Sequence, residues 1–98
     1  MGENTSNRAR FRLVLPKYKC PCCGYYTLSE KAGGTFEICP VCFWEDDRIQ
    51  LEHPDLAGGA NGISLNEARD QFRLCGASRE DLRPYVRAPK KSELHGIE

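Results

Sequence analysis

The chain has 98 residues, with 14 basic and 14 acidic side chains and a formal net charge of zero. This length suits one domain, and the balanced charge excludes a molecule-wide field that would draw the protein to nucleic acid or an anionic membrane. No apolar run approaches the roughly 18 residues of a membrane span. Since Met1–Lys19 also lacks the apolar stretch of a secretory signal, we expect a cytoplasmic protein without membrane contact.

The chain begins with a basic arm, which we place at residues 1–17. Residues 1–19 carry five basic side chains against one acid, a local charge of +4. Such an arm can bind nucleic acid, or it can pair with the acidic block at residues 45–55, whose local charge is −4. Both possibilities stay open at the level of the sequence.

Six cysteines are the strongest signal in the sequence. Four of them form two Cys-x-x-Cys units separated by 15 residues, the spacing of a zinc site. In a reducing compartment, thiols bind metal more often than they form disulfides. We therefore predict one Zn²⁺ ion, with iron as the alternative because a tetrahedral sulfur site accepts either metal. The predicted ligands are Cys20, Cys23, Cys39 and Cys42.

Each Cys-x-x-Cys unit must fold back tightly to bring two sulfurs to one ion. Pro21 and Pro40 start the two turns with a suitable φ angle. Gly24 follows the first unit and permits a positive φ, whereas Phe43 holds the same place in the second and resists it. We therefore expect two knuckles of different conformation.

The segment between the knuckles has the pattern of a β-hairpin. Residues 25–28 and 35–38 are rich in aromatic and β-branched side chains, and a Ser-Glu-Lys-Ala-Gly-Gly turn joins them. Two knuckles linked by such a hairpin describe a zinc ribbon. The predicted fold is thus small α+β, a rubredoxin-like zinc ribbon followed by one main α-helix and a short C-terminal helix.

Two cysteines are surplus to a four-ligand site. Cys22 is expected to lie beside the metal or to face away from it, as a spare small side chain, with a redox role as the alternative. Cys75 falls on the apolar stripe of a predicted helix and is expected in the core.

An acidic run, Glu45–Asp47, follows the second knuckle directly. We interpret it as a solvated turn, while binding of a cation or a basic partner is the alternative. Trp44, together with Phe43, is expected to cover the apolar side of the metal site. Residues 53–63 are a loop by composition, in which His53 is either simply exposed or, with Asp55, part of a second metal or acid–base site.

The clearest helix begins at Ser64, where Ser-Leu-Asn-Glu forms a capping box. Its apolar face recurs at helical spacing, and Gly76 ends it. The residues of that face are Leu65, Ala68, Phe72 and Cys75.

The chain beyond this helix is predicted to be simpler. A second, short helix is expected to begin near Ser78 and to stop before Pro84. Residues 89–98 are predicted to be a polar, frayed tail, so that the folded domain spans residues 18–88.

Four segments together resemble one known family. They are Cys-Pro-Cys-Cys-Gly at 20–24, Ile-Cys-Pro-Val-Cys-Phe-Trp-Glu-Asp-Asp at 38–47, Gly-Gly-Ala-Asn-Gly at 58–62 and Ser-Leu-Asn-Glu-Ala-Arg at 64–69. They resemble the cysteine-rich CPCC domain family over residues 18–88. The resemblance implies a small bacterial-type domain and no particular activity, and the first knuckle also resembles that of rubredoxin.

The leading functional hypothesis is a zinc-stabilised binding or adaptor module with a protein partner. Four cysteines close the coordination sphere, so enzymatic zinc chemistry is disfavoured, and His53 and His95 are not spaced as ligands. The alternatives are rubredoxin-like electron transfer with iron, thiol redox chemistry at Cys22 and nucleic-acid binding through the basic arm.

Overall fold

A computed structural model describes residues 17–95. The predicted basic arm, apart from Lys17, and the last three residues of the predicted tail therefore lie outside the described residues. Within residues 17–95, none of the helices is both long enough and apolar enough to pass through a bilayer.

The two strands of the fold flank the first knuckle. Strand β1 (Tyr18–Lys19) pairs with β2 (Tyr26–Leu28) in an antiparallel sheet, with Lys19 opposite Tyr26. The tight turn between Cys20 and Cys23 folds the chain back on itself, so the residues on either side meet. The knuckle is thus the loop of a short hairpin.

The second knuckle is held in the same way by a single bridge between Ile38 and Glu45. The predicted hairpin that joins residues 25–28 to 35–38 is wrong, because each hairpin encloses a knuckle instead of connecting the two. Phe36 has a φ of 63°, outside the extended region of a strand. Its N–H donates to the carbonyl of Asp46 (3.0 Å), so the backbone at 35–38 pairs with residues beyond the second knuckle.

A short helix, α1 (Arg48–Glu52), follows the second knuckle and is absent from the sequence-based prediction. The Asp47 carboxylate caps it by accepting the N–H of Gln50 (3.1 Å). Gln50 is buried, and its amide donates to the carbonyls of Leu56 and Ile63. The predicted loop at 53–63 is therefore tied to α1 through a buried amide.

The predicted main helix is confirmed as α2 (Leu65–Cys75). Ser64 caps it by accepting the N–H of Glu67 (3.0 Å), and Gly76 ends it with a φ of 83°. Leu65 and Ala68 are fully buried. Phe72 lies half-buried further along the same face, and its ring meets that of Tyr25 edge to face at 6.3 Å.

A 3-10 helix, Glu80–Tyr85, forms the predicted short C-terminal helix, with differences at both ends. Ser78 does not begin it: this residue is buried, and its N–H donates to the carbonyl of Cys42 (2.8 Å). Pro84 lies inside the helix, so the predicted stop before this residue is wrong.

The C-terminal residues also differ from the frayed tail that the sequence predicts. Lys91–Glu93 forms a second 3-10 turn, and Glu93 is buried. The Glu93 carboxylate accepts two hydrogen bonds from the guanidinium of Arg87 and one from the N–H of Lys90. These bonds close residues 87–93 into a turn, and the N–H of Arg87 attaches this turn to the carbonyl of Pro40 (3.3 Å).

The apolar core is small and lies directly against the cysteines. Its largest members besides sulfur are Trp44, Leu28, Leu65 and Val41, each no more than 1% exposed. Full burial of one such side chain contributes about 1.5–3 kcal/mol, so four of them offset little of the chain entropy of a domain. The cysteine cluster sits at the centre of this core.

Candidate metal centre

The first knuckle is closed by two backbone hydrogen bonds. The N–H of Cys20 donates to the carbonyl of Tyr25 (2.8 Å), and the N–H of Gly24 donates to the carbonyl of Cys20 (2.9 Å). Gly24 has a φ of 83°, a conformation that glycine adopts without steric cost.

The second knuckle repeats these bonds residue for residue. The N–H of Cys39 donates to the carbonyl of Trp44 (3.0 Å), and the N–H of Phe43 donates to the carbonyl of Cys39 (2.7 Å). Phe43 has a φ of 68°, so the prediction of two different knuckles is wrong. The left-handed conformation costs an L-residue about 1–2 kcal/mol. The ring of Phe43 stacks on that of Tyr85 at 5.6 Å, and this contact offsets much of that cost.

The two knuckles face each other and bring the four predicted ligands together. The sulfur atoms of Cys20, Cys23, Cys39 and Cys42 all lie within 4.8 Å of one another. Two cross-knuckle distances, Cys20 Sγ to Cys42 Sγ and Cys23 Sγ to Cys39 Sγ, are both 3.7 Å. A tetrahedral ion with metal–sulfur bonds of about 2.3 Å separates its sulfurs by about 3.8 Å. The cluster therefore has the dimensions of a four-sulfur metal site.

Hydrogen-bond donors surround the sulfurs of the second knuckle. The N–H of Val41 lies 3.4 Å from Cys39 Sγ, and the N–H of Trp44 lies 3.4 Å from Cys42 Sγ. The hydroxyl of the buried Thr27 lies 3.0 Å from Cys39 Sγ. Such donors stabilise the negative charge that a metal-bound thiolate carries.

The four thiols lie close enough to shift one another's pKa values. The pKa of Cys39 lies well below its ordinary value because the side chains of Cys20, Cys23 and Cys42 donate hydrogen bonds to its sulfur. The pKa of Cys42 lies well above its ordinary value, chiefly through its hydrogen bond with Cys20, and burial adds to the rise. If all four lose their protons, four adjacent thiolates, three of them buried, need a cation to neutralise them. A metal ion is the group that this donor set fits.

The C-terminal half of the chain fixes both knuckles at equivalent atoms. The guanidinium of Arg69 donates to the carbonyl of Pro21 (2.9 Å), and the N–H of Arg87 donates to the carbonyl of Pro40 (3.3 Å). Sequence reasoning missed both residues, since no local pattern relates an arginine to a carbonyl 48 positions away.

The two surplus cysteines lie outside the sulfur cluster. Cys22 is 8% exposed and belongs to the apolar core. It occupies the position in the first knuckle that Val41 occupies in the second, which is the place of a small apolar side chain. Cys75 is half-buried on α2, and its thiol donates to the carbonyl of Ala77 (3.6 Å).

The acidic run is not a solvated turn. Asp46 is fully buried, and its carboxylate accepts hydrogen bonds from the backbone N–H groups of Gly33, Gly34 and Thr35 and from the Thr35 hydroxyl. Burial raises the pKa of Asp46, but these donors outweigh it and lower the pKa below its ordinary value. Asp46 therefore holds the inter-knuckle loop in place.

Glu45 and Asp47, the neighbours of Asp46, also hold a loop in place through hydrogen bonds. The backbone of Glu45 makes two hydrogen bonds with the side chain of Asn61, at 2.8 and 2.9 Å. The Asp47 carboxylate accepts the N–H of Ala60 (3.0 Å) in addition to capping α1. Together these bonds attach the glycine-rich loop to the second knuckle.

The other candidates from the sequence lie elsewhere. Among residues 17–95, the four cysteines are the only group of His, Cys, Asp and Glu side chains with the geometry of a metal site, so His53 and Asp55 form no second one. His53 is exposed. Trp44 is fully buried in the core beside the cysteines, as expected, whereas Phe43 turns to Tyr85.

The fold and the site together define a small α+β domain built around a buried cluster of four cysteines. The model of the cysteine-rich CPCC family matches residues 18–93, and the chain belongs to this family. A comparison with curated proteins gives no match.

Proposed function

We propose that the four clustered cysteines bind one Zn²⁺ ion and that this ion holds together a small binding or adaptor module. The observation that carries the proposal is the placement of four sulfurs within 4.8 Å of one another, at the spacing of a tetrahedral site. On this proposal the fold is a zinc ribbon in which each knuckle is the loop of its own short hairpin.

The proposed role of the ion is structural. A catalytic zinc keeps one coordination position for water or substrate, whereas four cysteine ligands fill a tetrahedral sphere. Cys20, Cys39 and Cys42 are each 0% exposed, which supports a site closed to substrate. Binding of a structural zinc contributes on the order of 10 kcal/mol to folding, as much as the stability of a whole domain. The proposed function therefore belongs to the surface that the ion stabilises.

Iron is the alternative occupant, and it would make electron transfer the function. Sulfur ligands in tetrahedral geometry accept either metal. The paired knuckles and the donors near Cys39 and Cys42 suit both ions, so metal identity has to be measured.

The test is native mass spectrometry combined with elemental analysis of the full chain, purified without added metal. The expected result is a colourless protein with one equivalent of zinc per chain. Visible absorbance with one equivalent of iron would contradict the zinc proposal in favour of electron transfer. A folded chain without bound metal would contradict both.

A pair of cysteine variants provides the matched control. Cys39→Ser removes a sulfur of the cluster and is expected to lose the ion. Cys22→Ser makes the same chemical change at a cysteine of the first knuckle that lies outside the cluster, and is expected to keep one equivalent. Equal metal loss in both variants would argue against the assignment of the ligands.

A further inference from the structure

An open pocket lies beside the two strands that flank the first knuckle. It has a volume of about 560 Å³. Three lysines and two tyrosines line it, namely Lys17, Lys19, Lys31, Tyr18 and Tyr26. Ala32 and Leu51 complete the lining, and both pack against the apolar core. We refer to these seven residues as the basic–aromatic pocket.

The charge of this pocket has one sign. None of its lining residues is acidic. The ion pairs among residues 17–95 all use arginine, so none of the three lysines is neutralised by a carboxylate from that part of the chain. All three lysines are exposed. The pocket thus offers three solvated cations around an apolar floor.

Aromatic rings are available next to these cations. The side chain of Tyr18 is 42% exposed, and Tyr26 is half-buried on the neighbouring strand. The two tyrosines offer flat aromatic rings and the three lysines offer positive charges. Proteins bind single-stranded nucleic acid with this combination, because bases stack on the rings and phosphates contact the charges. The volume lies within the range of small-ligand pockets, which suits one nucleotide unit at a time.

We propose that the basic–aromatic pocket binds single-stranded nucleic acid, with a base against Tyr18 and Tyr26 and the neighbouring phosphates against the three lysines. This inference rests on the proposed function, a binding module, and names its partner class. An acidic peptide would use the lysines but would gain little from two tyrosine faces. By sequence, Arg8, Arg10 and Arg12 precede Lys17 closely, so the positive charge continues along the chain.

A second role for the three lysines is to compensate the charge of the metal site. The test has to distinguish this role from binding of nucleic acid. Four thiolates and one divalent ion leave the metal site with a net charge of about −2. The side chain of Lys19 passes over the first knuckle, with its Cε 4.0 Å from where a Cβ on Gly24 would lie. If the lysines only compensated the charge of the metal site, their removal would weaken metal retention and leave binding of nucleic acid unaffected.

The test is fluorescence anisotropy on the full, metal-loaded chain with labelled oligo(dT) and oligo(U) of about 12 nucleotides. Binding to both single strands is expected, and the ratio of the two affinities tells whether DNA or RNA is preferred. Each phosphate contact on a single strand contributes about −0.7 to the slope of log K against log salt. Three lysine contacts therefore predict at least a roughly 20-fold loss of affinity between about 50 and 200 mM salt.

Two charge-matched triple variants localise the binding. K17Q/K19Q/K31Q removes the pocket lysines and is expected to lose most of the affinity and about 2 units of salt slope. R73Q/R83Q/K91Q removes three exposed cations from outside the pocket and is expected to bind like the unmodified chain. Elemental analysis of all three proteins shows whether each still holds its ion.

A pair of tyrosine variants tests stacking. Tyr18→Phe keeps the ring and is expected to retain the affinity, whereas Tyr18→Ala removes it and is expected to weaken binding about 10-fold or more. Both variants should keep the metal content of the parent chain, because Tyr18 is an exposed residue of β1 outside the cluster.

Several results would overturn the inference while leaving the proposed function intact. The first is that the zinc-loaded chain binds neither oligonucleotide, and the second is that K17Q/K19Q/K31Q binds them as well as the parent chain. The third is that polyglutamate, at an equal concentration of charges, displaces the oligonucleotide. Equal affinity for a duplex of the same length would also overturn it, because paired bases cannot stack on the tyrosines. Loss of metal from the parent chain would instead contradict the proposed function.

Discussion

Asp46 illustrates how a residue near the cysteine cluster contributes to its geometry without belonging to it. Its carboxylate is fully buried and accepts three backbone N–H groups of the loop between the knuckles. A buried charge of this kind is tolerated only when hydrogen bonds replace its lost hydration. Asp46 therefore determines where the inter-knuckle loop runs, and with it how the two knuckles approach each other.

The substitution Asp46→Asn is expected to lower the free energy of unfolding by about 2 kcal/mol, because the amide replaces one accepting oxygen and removes the charge. Denaturant titration of the metal-loaded chain at pH 7 measures this loss. Asp70→Asn is the matched control, since its carboxylate is 63% exposed and pairs with Arg73 on the same helix. Its expected effect is below about 0.5 kcal/mol.

The pKa of Asp46 also predicts the pH dependence of this difference. A carboxylate with a lowered pKa stabilises the fold at every pH above its unfolded value, and the contribution is lost as the pH falls through the folded value. The difference between the parent chain and Asp46→Asn should therefore stay constant from pH 7 to about pH 5. A difference that shrinks over this range would argue against the lowered pKa.

At the scale of single residues, the sequence identifies the four cysteines of the cluster but not the residues that support them. Ligand spacing is a local pattern, and a metal site imposes it directly on the chain. Asp46 looks in sequence like its half-buried acidic neighbours, because its burial depends on a loop 11 to 13 residues away. The prediction that Phe43 avoids a positive φ was wrong for a related reason, since its stacking partner Tyr85 lies in a helix far along the chain.

Among the elements, the 3-10 turn Lys91–Glu93 makes the clearest prediction. Glu93→Gln is expected to lower the free energy of unfolding by about 1–2 kcal/mol, because it weakens the two-point bond to Arg87. Limited proteolysis should then cut the chain near residues 88–92 faster than in the parent. Glu80→Gln serves as the control, since the carboxylate of Glu80 is 69% exposed in its pair with Arg83. Equal cutting rates for both variants would show that the turn is not docked through Glu93.

The pKa of Glu93 gives this prediction its pH range. The hydrogen bond from Arg87 holds that pKa below its ordinary value. The stabilising contribution is therefore fully present above the unfolded pKa of about 4.3 and is lost as the pH falls through the lower folded value. Faster cutting of Glu93→Gln than of the parent should persist at pH 6 to 8, where parent Glu93 stays ionised.

Elements were predictable from the sequence where their stabilising contacts are local. The helix α2 carries its own cap at Ser64, its own stop at Gly76 and an apolar face at helical spacing, and it was predicted correctly. The helix α1 has only five residues, too few for a periodic signal, and was missed. The strand pairing was misplaced because residues 35–38 have strand-like composition, while their partners are set by Asp46 and the second knuckle.

For the whole molecule, the stability of the folded domain depends on the balance between the apolar core, which favours folding, and the chain entropy, which opposes it. The apolar core has few large side chains and is built around the four cysteines. The long-range bonds of Arg69 and Ser78 also end on the knuckles, so packing of the C-terminal half depends on the knuckle geometry. A domain of this size is marginal without a covalent or metal staple. The proposed ion would supply that staple at the point where all of these contacts converge.

Removal of the ion is therefore expected to unfold the domain as a unit. The proposed metal contributes on the order of 10 kcal/mol to folding, which is about the whole stability of a domain. After chelation, the chain should therefore lose the far-ultraviolet circular dichroism signal of α2 and should no longer show a cooperative unfolding transition. Added Zn²⁺ should restore both signals. The double variant Cys22→Ser/Cys75→Ser is the control, since it removes two thiols outside the cluster and should respond to chelator and to Zn²⁺ as the parent does. A chelated parent chain that still unfolds cooperatively would show that the core, α2 and the knuckles are held together without a metal.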